Sequence, residues 1–326
     1  MNKYFEKFIT KINKKKKIFT PGPASFLKEN LTSIGPCFGR GDEEYIKIEK
    51  NVLKNILSIS GHKNIARLQG ASSLGLEIMI SNFIYGRVLI VNTGVYSDRL
   101  FYMANTAKKK YGYIKKINYV KYNVINNIKD QFDWIIACPV ETSIGYKIPI
   151  LDLYKLKKSC KSKLALDATA SIGLEENHHL SDICAFSSCK GLFGLTGGAF
   201  VCFNKKPDNK IDEFNLNIYS HLEKKMTGPY HAIYSLSDVL KNYEDFKYAV
   251  EINKKVFLKK MNHLLLYSKY NQPNLCTLIK KKIHKKNKNV ILYETRAKIK
   301  GSVLCHLGEV HLKRKAKGDI INYLKI

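Results

Sequence analysis

Residues 182–198 read DICAFSSCKGLFGLTGG, an apolar run that ends in a polar and then glycine-rich corner. The pattern predicts a short strand, a turn at Ser188-Cys189-Lys190 and a loop loosened by glycines, and residues 199–203 predict a second apolar strand. Lys190 is therefore expected at the mouth of a sheet, where a chemically active lysine would lie. Taken alone, the motif is more typical of one further solvated lysine in a lysine-rich chain, so the rest of the sequence must decide.

The chain has 326 residues and a formal net charge of +29, which raises the question of anionic partners. The basic excess is almost entirely lysine, because the arginines are only Arg40, Arg67, Arg87, Arg99, Arg296 and Arg314. A nucleic-acid-binding protein would use more arginine, whose guanidinium contacts phosphate and guanine in bidentate fashion, and no nucleic-acid-binding module is recognisable. We therefore expect no nucleic-acid partner.

The cysteine pattern and the hydropathy indicate the cellular compartment of the protein. Eight cysteines are scattered along the chain without CxxC pairs, and several lie in apolar runs, which indicates core thiols in a reducing compartment and no metal site. No signal segment opens the chain and no apolar run approaches the length of a membrane span. We expect a cytoplasmic protein with one large domain and a smaller companion.

Two segments near the start are open to two interpretations each. Residues 1–17 predict a basic amphipathic helix that either lies on a membrane surface or covers the smaller domain, and the second is favoured because such stripes are usually core. Its apolar face consists of Tyr4, Phe5, Phe8, Ile9 and Ile12. Residues 19–24, FTPGPA, cannot form regular structure because of their prolines and glycine, so they either link domains or line a site.

Apolar strands alternate with helical segments from about residue 66 onward, which predicts a mostly parallel sheet covered by helices on both faces. Ligands of such proteins gather outside the carboxyl ends of the strands. The residues that follow the predicted strands at this edge are Gly70 to Ser73, Tyr96, Thr142, Asp167 and Lys190. Their convergence favours a functional site over separate structural roles.

Three of these positions suggest a chemistry, each beside a structural alternative. Hydroxyl-bearing residues at a helix start can bind an anion, although Ser72 or Ser73 could equally cap the helix. Tyr96 can stack on a planar ligand or cover the core. Asp167 follows three apolar residues, so it is expected to be buried and to need a partner, for which a protonated ring nitrogen would serve.

Several segments, in this order, carry a resemblance to a known family. They are Thr20-Pro21-Gly22-Pro23, Leu68-Gln69-Gly70-Ala71-Ser72-Ser73 with Glu77, residues 92–99 (NTGVYSDR), residues 141–145 (ETSIG), residues 167–171 (DATAS), Ser188-Cys189-Lys190 with Gly197, and, more weakly, residues 226–231 (MTGPYH). The set resembles the class V aminotransferases of the fold-type-I pyridoxal-phosphate (PLP) enzymes, and within them the 2-aminoethylphosphonate:pyruvate transaminases. The matches extend from about residue 18 to residue 245.

The resemblance implies a role for each matched position. Lys190 is the lysine that binds PLP as a Schiff base and later moves the substrate proton, and Asp167 holds the pyridine nitrogen protonated. The other cofactor-binding positions are Ala71, Ser72 and Ser73 for the phosphate, Tyr96 for the ring face, Thr142 for the phenolic oxygen, Ser187 beside the lysine, and Thr227 for the phosphate of the other subunit's cofactor. The substrate-binding candidates are Pro21, Gly22, Arg296 and His306. A homodimer with shared active sites follows from the role of Thr227.

The sequence also departs from the family pattern. The phosphate-binding turn Gly-Ser-Gly-Thr becomes Gly70-Ala71-Ser72-Ser73, and the early motif His-Arg-Asp becomes Arg40-Gly41-Asp42. Cys189 precedes the lysine where the family has Asn, Gln or His, so Ser187 or Ser188 is the expected hydrogen-bonding substitute.

The most consequential departure concerns the arginine that clamps the substrate carboxylate in the family. Aligning residues 303–308, VLCHLG, with that strand puts His306 in place of the arginine. A histidine cannot make the planar bidentate contact, so either Arg296 reaches the substrate or the carboxylate is held differently. The region after residue 245 is also shorter than the family's.

The resemblance implies an α/β fold of PLP fold type I, with a mostly parallel, seven-stranded-type sheet, helices on both faces and a small α+β C-terminal domain. Residues 18–245 form the large domain in this prediction, and residues 1–17 with 246–326 form an abbreviated small domain. The expected activity is an aminotransferase for a small anionic amine such as 2-aminoethylphosphonate, with pyruvate or alanine as partner. Two alternatives stay open: a PLP-dependent lyase or decarboxylase, and a degenerate subunit that has lost catalysis.

Overall fold

The computed structural model describes residues 2–36, 41–315 and 319–325, so Arg40 of the early motif lies outside the described residues. The helices are α1 (Asn2–Lys15), α2 (Glu29–Thr32), α3 (Glu43–Ser60), α4 (Ser72–Phe83), α5 (Val95–Tyr111), α6 (Ile150–Ser159), α7 (Ile218–Leu222), α8 (Tyr230–Lys241) and α9 (Tyr243–Met261). The strands are β1 (Lys17–Phe19), β2 (Asn64–Gln69), β3 (Gly86–Asn92), β4 (Ile114–Lys121), β5 (Trp134–Ala137), β6 (Val140–Glu141), β7 (Tyr146–Lys147), β8 (Lys163–Asp167), β9 (Ile183–Ser187), β10 (Gly198–Phe203), β11 (Cys276–Ile279), β12 (His284–Lys285), β13 (Val290–Leu292), β14 (Ser302–Cys305) and β15 (Leu324–Lys325). Short 3-10 turns cover Tyr122–Asn127, His178–Leu180, Asn262–Leu264, Lys269–Asn271, Val310–Lys315 and Asp319–Tyr323.

A seven-stranded sheet with the order β2-β10-β9-β8-β5-β3-β4 forms the centre of the molecule. Strand β10 is antiparallel to both of its neighbours, whereas the pairs β9/β8, β8/β5, β5/β3 and β3/β4 are parallel. Because β10 reverses direction between two strands, β2 points the same way as β9, and its carboxyl end lies at the same edge. The predicted mostly parallel sheet is confirmed.

Both faces of this sheet are buried, as expected for parallel strands joined by helices. Alternate residues of each strand face opposite sides. Val88 and Ile90 of β3 pack with α4 and α5 on one face, whereas Leu89 and Val91 pack with α3, α6, α8 and α9 on the other. The continuous apolar strands of the sequence therefore serve two cores that share one sheet.

The segment that begins at residue 41 shows how local sequence fixes one of these helices. The Asp42 side chain accepts hydrogen bonds from the backbone N–H groups of Glu44 and Tyr45, at 3.0 and 3.2 Å, and so caps α3. Gly61 ends the helix in the left-handed conformation, with a φ of 72°. Asp42, the last residue of the early motif, thus has a structural role.

The N-terminal and C-terminal stretches pack together around a third, smaller apolar cluster. Strand β1 pairs in parallel with β13, and β11 pairs in antiparallel fashion with β14. Phe19, Phe257 and Leu324 belong to this cluster. Helix α9 contributes to both regions, since its first half packs on the main core and its second half on the small cluster. The domain limits given by the sequence stay a prediction.

Helix α1 forms as predicted but buries only part of its apolar stripe. Ile9 is buried, whereas Tyr4 and Phe8 remain 73% and 41% exposed. No helix within the described residues is both long and apolar enough to cross a membrane. The cysteines of the described part of the chain are all free thiols.

Candidate active site

A cavity of about 490 Å³ opens at the carboxyl edge of the large sheet, within the size range of small-molecule and cofactor sites. Of the predicted site residues, those that line it are Ala71, Ser72, Tyr96, Thr142, Asp167, Ser187, Lys190 and Arg296. Among the described lining residues we do not find Ser73, Thr227, Pro21, Gly22 or His306. The strand ends therefore converge on one cavity, as the alternation of strands and helices predicted.

Lys190 lies in the turn that follows β9, partly exposed to the cavity. This turn is held to β10 by the Ser188 N–H, which donates to the Gly198 carbonyl at 2.9 Å. Gly22 packs directly on the lysine stem, since a Cβ at Gly22 would lie 2.8 Å from Cγ of Lys190. Residues 21–23 thus border the lysine without lining the cavity.

Asp167 ends β8 and is only 2% exposed, so its carboxylate needs partners. One oxygen, Oδ1, accepts the backbone N–H of Thr169 at 3.0 Å. The other, Oδ2, accepts Nη2 of Arg99 at 3.3 Å, and the Arg99 guanidinium also lies 5.0 Å from the ring centroid of Tyr96. Each carboxylate oxygen keeps a free lone pair, so Asp167 can accept a further N–H from the cavity.

Arg99 is a site residue to which the sequence analysis gave no role. It follows Tyr96 by three positions on α5, and residues at this spacing lie on the same side of a helix. The signal was therefore present in the sequence. What the sequence lacked was the partner, because Asp167 lies 68 residues further along the chain.

Glu141 holds the backbone of Tyr96 in place and is a second residue without a predicted role. Its carboxylate is fully buried and accepts the backbone N–H of Tyr96 at 3.0 Å and the hydroxyl of Ser143 at 2.5 Å. Burial raises the pKa of Glu141 above its usual range. Because Glu141 binds the backbone N–H of Tyr96 at the start of α5, it fixes the backbone position from which the Tyr96 ring extends.

The start of α4 provides an anion-binding surface. Ala71 occupies the capping position, and no side chain in the described residues caps the helix there. Leu74 N–H donates to the Ala71 carbonyl at 3.0 Å, and the N–H groups of Ser72 and Ser73 are left available to an anion, which the helix dipole also favours. Gly70 N–H donates to the Gly197 carbonyl at 2.9 Å and brings the 196–198 loop alongside. This arrangement supports anion binding over simple capping by Ser72 or Ser73.

Two threonine hydroxyls add to the unsatisfied polar groups of the cavity. Oγ1 of Thr142 and Oγ1 of Thr169 are buried and have no hydrogen-bond partner within the described residues. Buried polar groups are rarely left unpaired, so a bound group is expected to supply the partners. A planar, phosphorylated pyridine would meet an amine, a carboxylate, an aromatic wall, free hydroxyls and a helix N-terminus, and the residues present therefore fit PLP.

The two candidates for binding the substrate carboxylate, His306 and Arg296, lie in different surroundings. His306 is only 1% exposed, its ring Nε2 lies 2.8 Å from Oγ1 of Thr277, and its ring packs 5.5 Å from that of Phe257. Burial lowers the pKa of His306 to about 3, so its ring is neutral at ordinary pH. Arg296, by contrast, is exposed and lines the cavity.

Thr227 is exposed on the loop between α7 and α8, outside the cavity of its own chain. Ion pairs and packing contacts hold the neighbouring residues of this loop in place. Buried Glu49 forms ion pairs with Arg67 and Lys224, and the guanidinium of Arg67 packs against Gly228. A group of three or more His, Cys, Asp or Glu side chains placed to hold a metal ion does not occur within the part of the chain that is described.

No protein-family model matches the chain. Among curated proteins, the 2-aminoethylphosphonate–pyruvate transaminases of Bacillus mycoides (strain KBAB4) and Bacillus cereus (strain Q1) are each 22% identical over 298 residues, covering 80% of this chain and 82% of the relative. Among solved structures, ureidoglycine–glyoxylate aminotransferase from Bacillus subtilis superposes with a TM-score of 0.74 at 15% identity, covering 94% of this chain and 92% of the other. Pyridoxamine–pyruvate aminotransferase from Mesorhizobium loti gives a TM-score of 0.76 at 17% identity, with coverages of 94% and 91%.

The chain has the PLP aminotransferase fold, fold type I. The predicted resemblance to the class V aminotransferases is thereby confirmed. In chemical terms, the cavity combines an amine that can attack a carbonyl with a buried carboxylate that can accept a ring N–H. It also contains an aromatic wall and an anion-binding helix start, which are the parts that a cofactor of this kind requires.

Proposed function

We propose that the protein is a PLP-dependent aminotransferase that acts on a small anionic amine. The observation that carries the proposal is the meeting of Lys190, Asp167 and Tyr96 in one cavity, with a helix start beside them for a phosphate. These residues lie far apart in the chain, on segments that follow or end different strands of one sheet, and a degenerate subunit would have no use for their convergence.

When bound, PLP supplies an aldehyde that takes up the substrate amine and a ring that draws electrons from the substrate carbon. The chain's own residues hold and assist it. Asp167 would accept the ring N–H with its free lone pair, and Arg99 would keep that carboxylate in place. Tyr96 would cover one face of the ring, and the Thr142 hydroxyl would donate to the phenolic oxygen. Nζ of Lys190 would accept the proton that leaves the substrate carbon and would deliver it to the cofactor.

The substrate class is inferred from the charges that remain. Within the described residues, the basic side chains that line the cavity are Lys190, Arg99 and Arg296. Arg99 is paired with Asp167, and Lys190 is assigned to the cofactor, so Arg296 is the cation left for an acid group of the substrate. We propose 2-aminoethylphosphonate as amino donor and pyruvate as acceptor, following the activity named for the curated relatives.

We also propose a homodimer. Thr227 is exposed and does not line the cavity of its own chain, which suits a residue that completes the phosphate site of a second copy. The anchoring of its loop through Arg67 and Gly228 would hold it ready for that contact. The molar mass of the holoenzyme in solution, measured by light scattering for wild type and for Thr227→Ala with and without PLP, tests the assembly and its link to the cofactor.

The activity is tested with purified protein loaded with PLP. Wild type should show an absorbance band near the visible, and borohydride reduction should link the cofactor covalently to the chain. Lys190→Ala should not retain the cofactor after the same treatment. Lys155→Ala, which removes an exposed lysine paired only with Asp152, is the matched control and should behave as wild type. Addition of 2-aminoethylphosphonate and pyruvate should yield alanine. A wild-type protein that binds no PLP would rule out the proposal.

A lyase or decarboxylase remains the second candidate, and one observation favours it. His306 is buried and neutral, so the small domain offers no second cation at the position where the family has its carboxylate arginine. A lyase needs no second carboxylate substrate. The two candidates differ in product: release of phosphate or carbon dioxide without any conversion of pyruvate to alanine would select the lyase.

A further inference from the structure

Helix α1 has an exposed face for which nothing above gives a function. We propose that this face binds an anionic membrane surface, with the helix lying in the plane of the lipid headgroups rather than across the bilayer. The face, which we name the α1 surface, consists of Tyr4, Phe8, Lys11 and Lys15. The proposal does not depend on the aminotransferase function, because none of these residues lines the cavity at the sheet edge.

The α1 surface is a continuous stripe along one side of the helix. Its residues follow one another at spacings of four, three and four positions, so their side chains lie on the same side. Tyr4 and Phe8 are 73% and 41% exposed, although rings of this size usually find cover in a folded protein. Lys11 and Lys15 are exposed as well, and exposed Lys7 borders the stripe. Aromatic rings beside lysines are typical of helices that lie at a membrane interface.

Contacts on the opposite side of the helix fix the direction in which the α1 surface faces. Ile9 and Asn13 are only 3% and 9% exposed. Nδ2 of Asn13 also donates to the Phe26 carbonyl at 2.8 Å, a contact that joins the helix to a segment 13 residues further along the chain. The two aromatic rings cannot turn toward the protein without breaking these contacts, so they are held facing outward.

The charge of this region favours an anionic partner. Glu6 is the only acidic residue among positions 1–28, and it is already paired with Lys28 at 2.6 Å. Lys17 is paired with Glu309. Within the described residues, the lysines of this region that have no acidic partner are Lys3, Lys7, Lys11, Lys14, Lys15 and Lys16. Each lysine close to an anionic bilayer raises the affinity about fivefold, so several of them together attract the helix strongly.

An apolar cavity of about 610 Å³ continues this surface beside the end of the helix. Lys15 and Lys16 line it and are exposed. Its apolar lining residues include Ile12, Phe26 and Ile291, the last of which is 36% exposed. A lipid whose headgroup contacts the two lysines therefore has room here for part of an acyl chain.

An anionic membrane fits the α1 surface better than other partners do. A second copy of the chain would cover the rings, but a chain with a net charge of +29 offers few carboxylates to these lysines. A nucleic acid would contact the lysines, but proteins that bind phosphate through bidentate contacts use arginine. A bilayer satisfies both parts of the surface, because it offers anionic headgroups to the lysines and an apolar boundary layer to the rings.

The first test places a fluorescent reporter on the α1 surface. Trp134 is the only tryptophan and is 3% exposed, so in Phe8→Trp the second tryptophan reports on the surface. The whole chain, loaded with PLP, is mixed with phosphatidylcholine vesicles that contain about one third phosphatidylserine. We expect the emission of Phe8→Trp to shift to the blue and to be quenched by brominated acyl chains, whereas wild type should show neither change.

The second test measures the affinity for the same vesicles by co-sedimentation. The double variant Lys11→Gln/Lys15→Gln should bind about twenty- to thirtyfold more weakly, because it loses two of the charges near the headgroups. Tyr4→Ser/Phe8→Ser should bind at least about tenfold more weakly, because it loses the apolar contact. Raising the salt concentration from about 0.1 to 0.5 M should release wild type, since salt screens exposed charges.

Tyr102→Ser/Lys109→Gln is the matched control, because it removes an exposed tyrosine and an exposed lysine from another helix, α5, and it should bind as wild type does. Unchanged binding in both α1 double variants would contradict the proposal, as would equal binding to vesicles with and without phosphatidylserine. A molar mass that falls in Tyr4→Ser/Phe8→Ser while vesicle binding stays as in wild type would overturn it in favour of a second copy of the chain.

Discussion

Burial lowers the pKa values of five histidines, three of which are the most deeply buried, and this makes the stability of the protein sensitive to mild acid. His62, His178 and His306 are 6%, 3% and 1% exposed, and their ring nitrogens lie 3.2, 2.9 and 2.8 Å from the hydroxyls of Ser181, Ser171 and Thr277. Burial lowers their pKa values to about 4, about 3 and about 3, respectively. At neutral pH all three rings are therefore uncharged in the folded protein.

The sign of the effect follows from where the proton binds more tightly. In the unfolded chain a histidine has a pKa of about 6.5, above the folded values, so acid favours the unfolded state. The stabilising contribution is complete above about pH 6.5 and is lost as the pH falls toward the folded pKa. Between about pH 7.5 and 5.5 the loss is roughly 1.3 kcal/mol for each ring, or about 4 kcal/mol for the three together.

A loss of this size is a large part of the 5–15 kcal/mol that ordinarily holds a domain together. Urea unfolding followed by circular dichroism, at several pH values across this window, should show the free energy of unfolding falling by about 4 kcal/mol through these three rings, and His221 and His311 should add to the fall. Glu141 acts in the opposite sense, because its raised pKa lets the folded state gain a proton as the pH falls.

Variants identify the source of the effect. His306→Asn keeps a hydrogen-bonding group near Thr277 and should remove the roughly 1.3 kcal/mol of pH dependence that this ring contributes. His231→Gln replaces an exposed histidine and should leave the pH dependence as it is in wild type. A free energy of unfolding that stays flat from about pH 7.5 to 5.5 in wild type would refute the reasoning, because it would mean that the buried rings do not stay neutral.

Two further predictions concern the cavity. Gly22→Ala should weaken PLP binding with the fold intact, because its Cβ would meet Cγ of Lys190 at 2.8 Å, whereas Gly112→Ala, also at a positive φ but with nothing within 4 Å, should not; titration of the apoprotein with PLP compares them, and equal affinities would count against the contact. Arg99→Gln should lower the free energy of unfolding of the apoprotein by about 1–3 kcal/mol, because buried Asp167 loses its charged partner. Saturating PLP should restore part of that loss, and an equal loss with and without PLP would argue against a ring N–H on Asp167.

Much of the site could be predicted because it depends on two simple periodicities. Parallel strands bring their carboxyl ends to one edge, so apolar runs followed by Tyr96, Thr142, Asp167 and Lys190 sufficed to predict that these side chains meet. Ser72 was predicted with two alternatives, and the free N–H groups at the start of α4 favour the anion-binding one. These conclusions needed no knowledge of how distant side chains pack.

The residues whose surroundings the sequence did not give depend on long-range pairing. His306 follows β14, and alternate residues of a strand face opposite sides. It therefore shares the side of Leu304, which belongs to the small cluster, whereas Cys305 belongs to the main core. A motif alignment gives the position along the strand but not the face, and a shift of one residue reverses it. Arg99 was not assigned because its partner, Asp167, lies on another segment.

The order of the strands also has a consequence for how the protein is made. Strand β2, whose end carries the anion-binding turn, lies at the edge of the sheet and pairs with β10, where Gln69 faces Gly198. The ribosome must therefore add about 130 further residues before β2 has a neighbour, and during that time its backbone edge is open to wrong partners. The phosphate end of the cavity would be the last part of the large sheet to form on a nascent chain, and truncated chains that stop before residue 198 should aggregate.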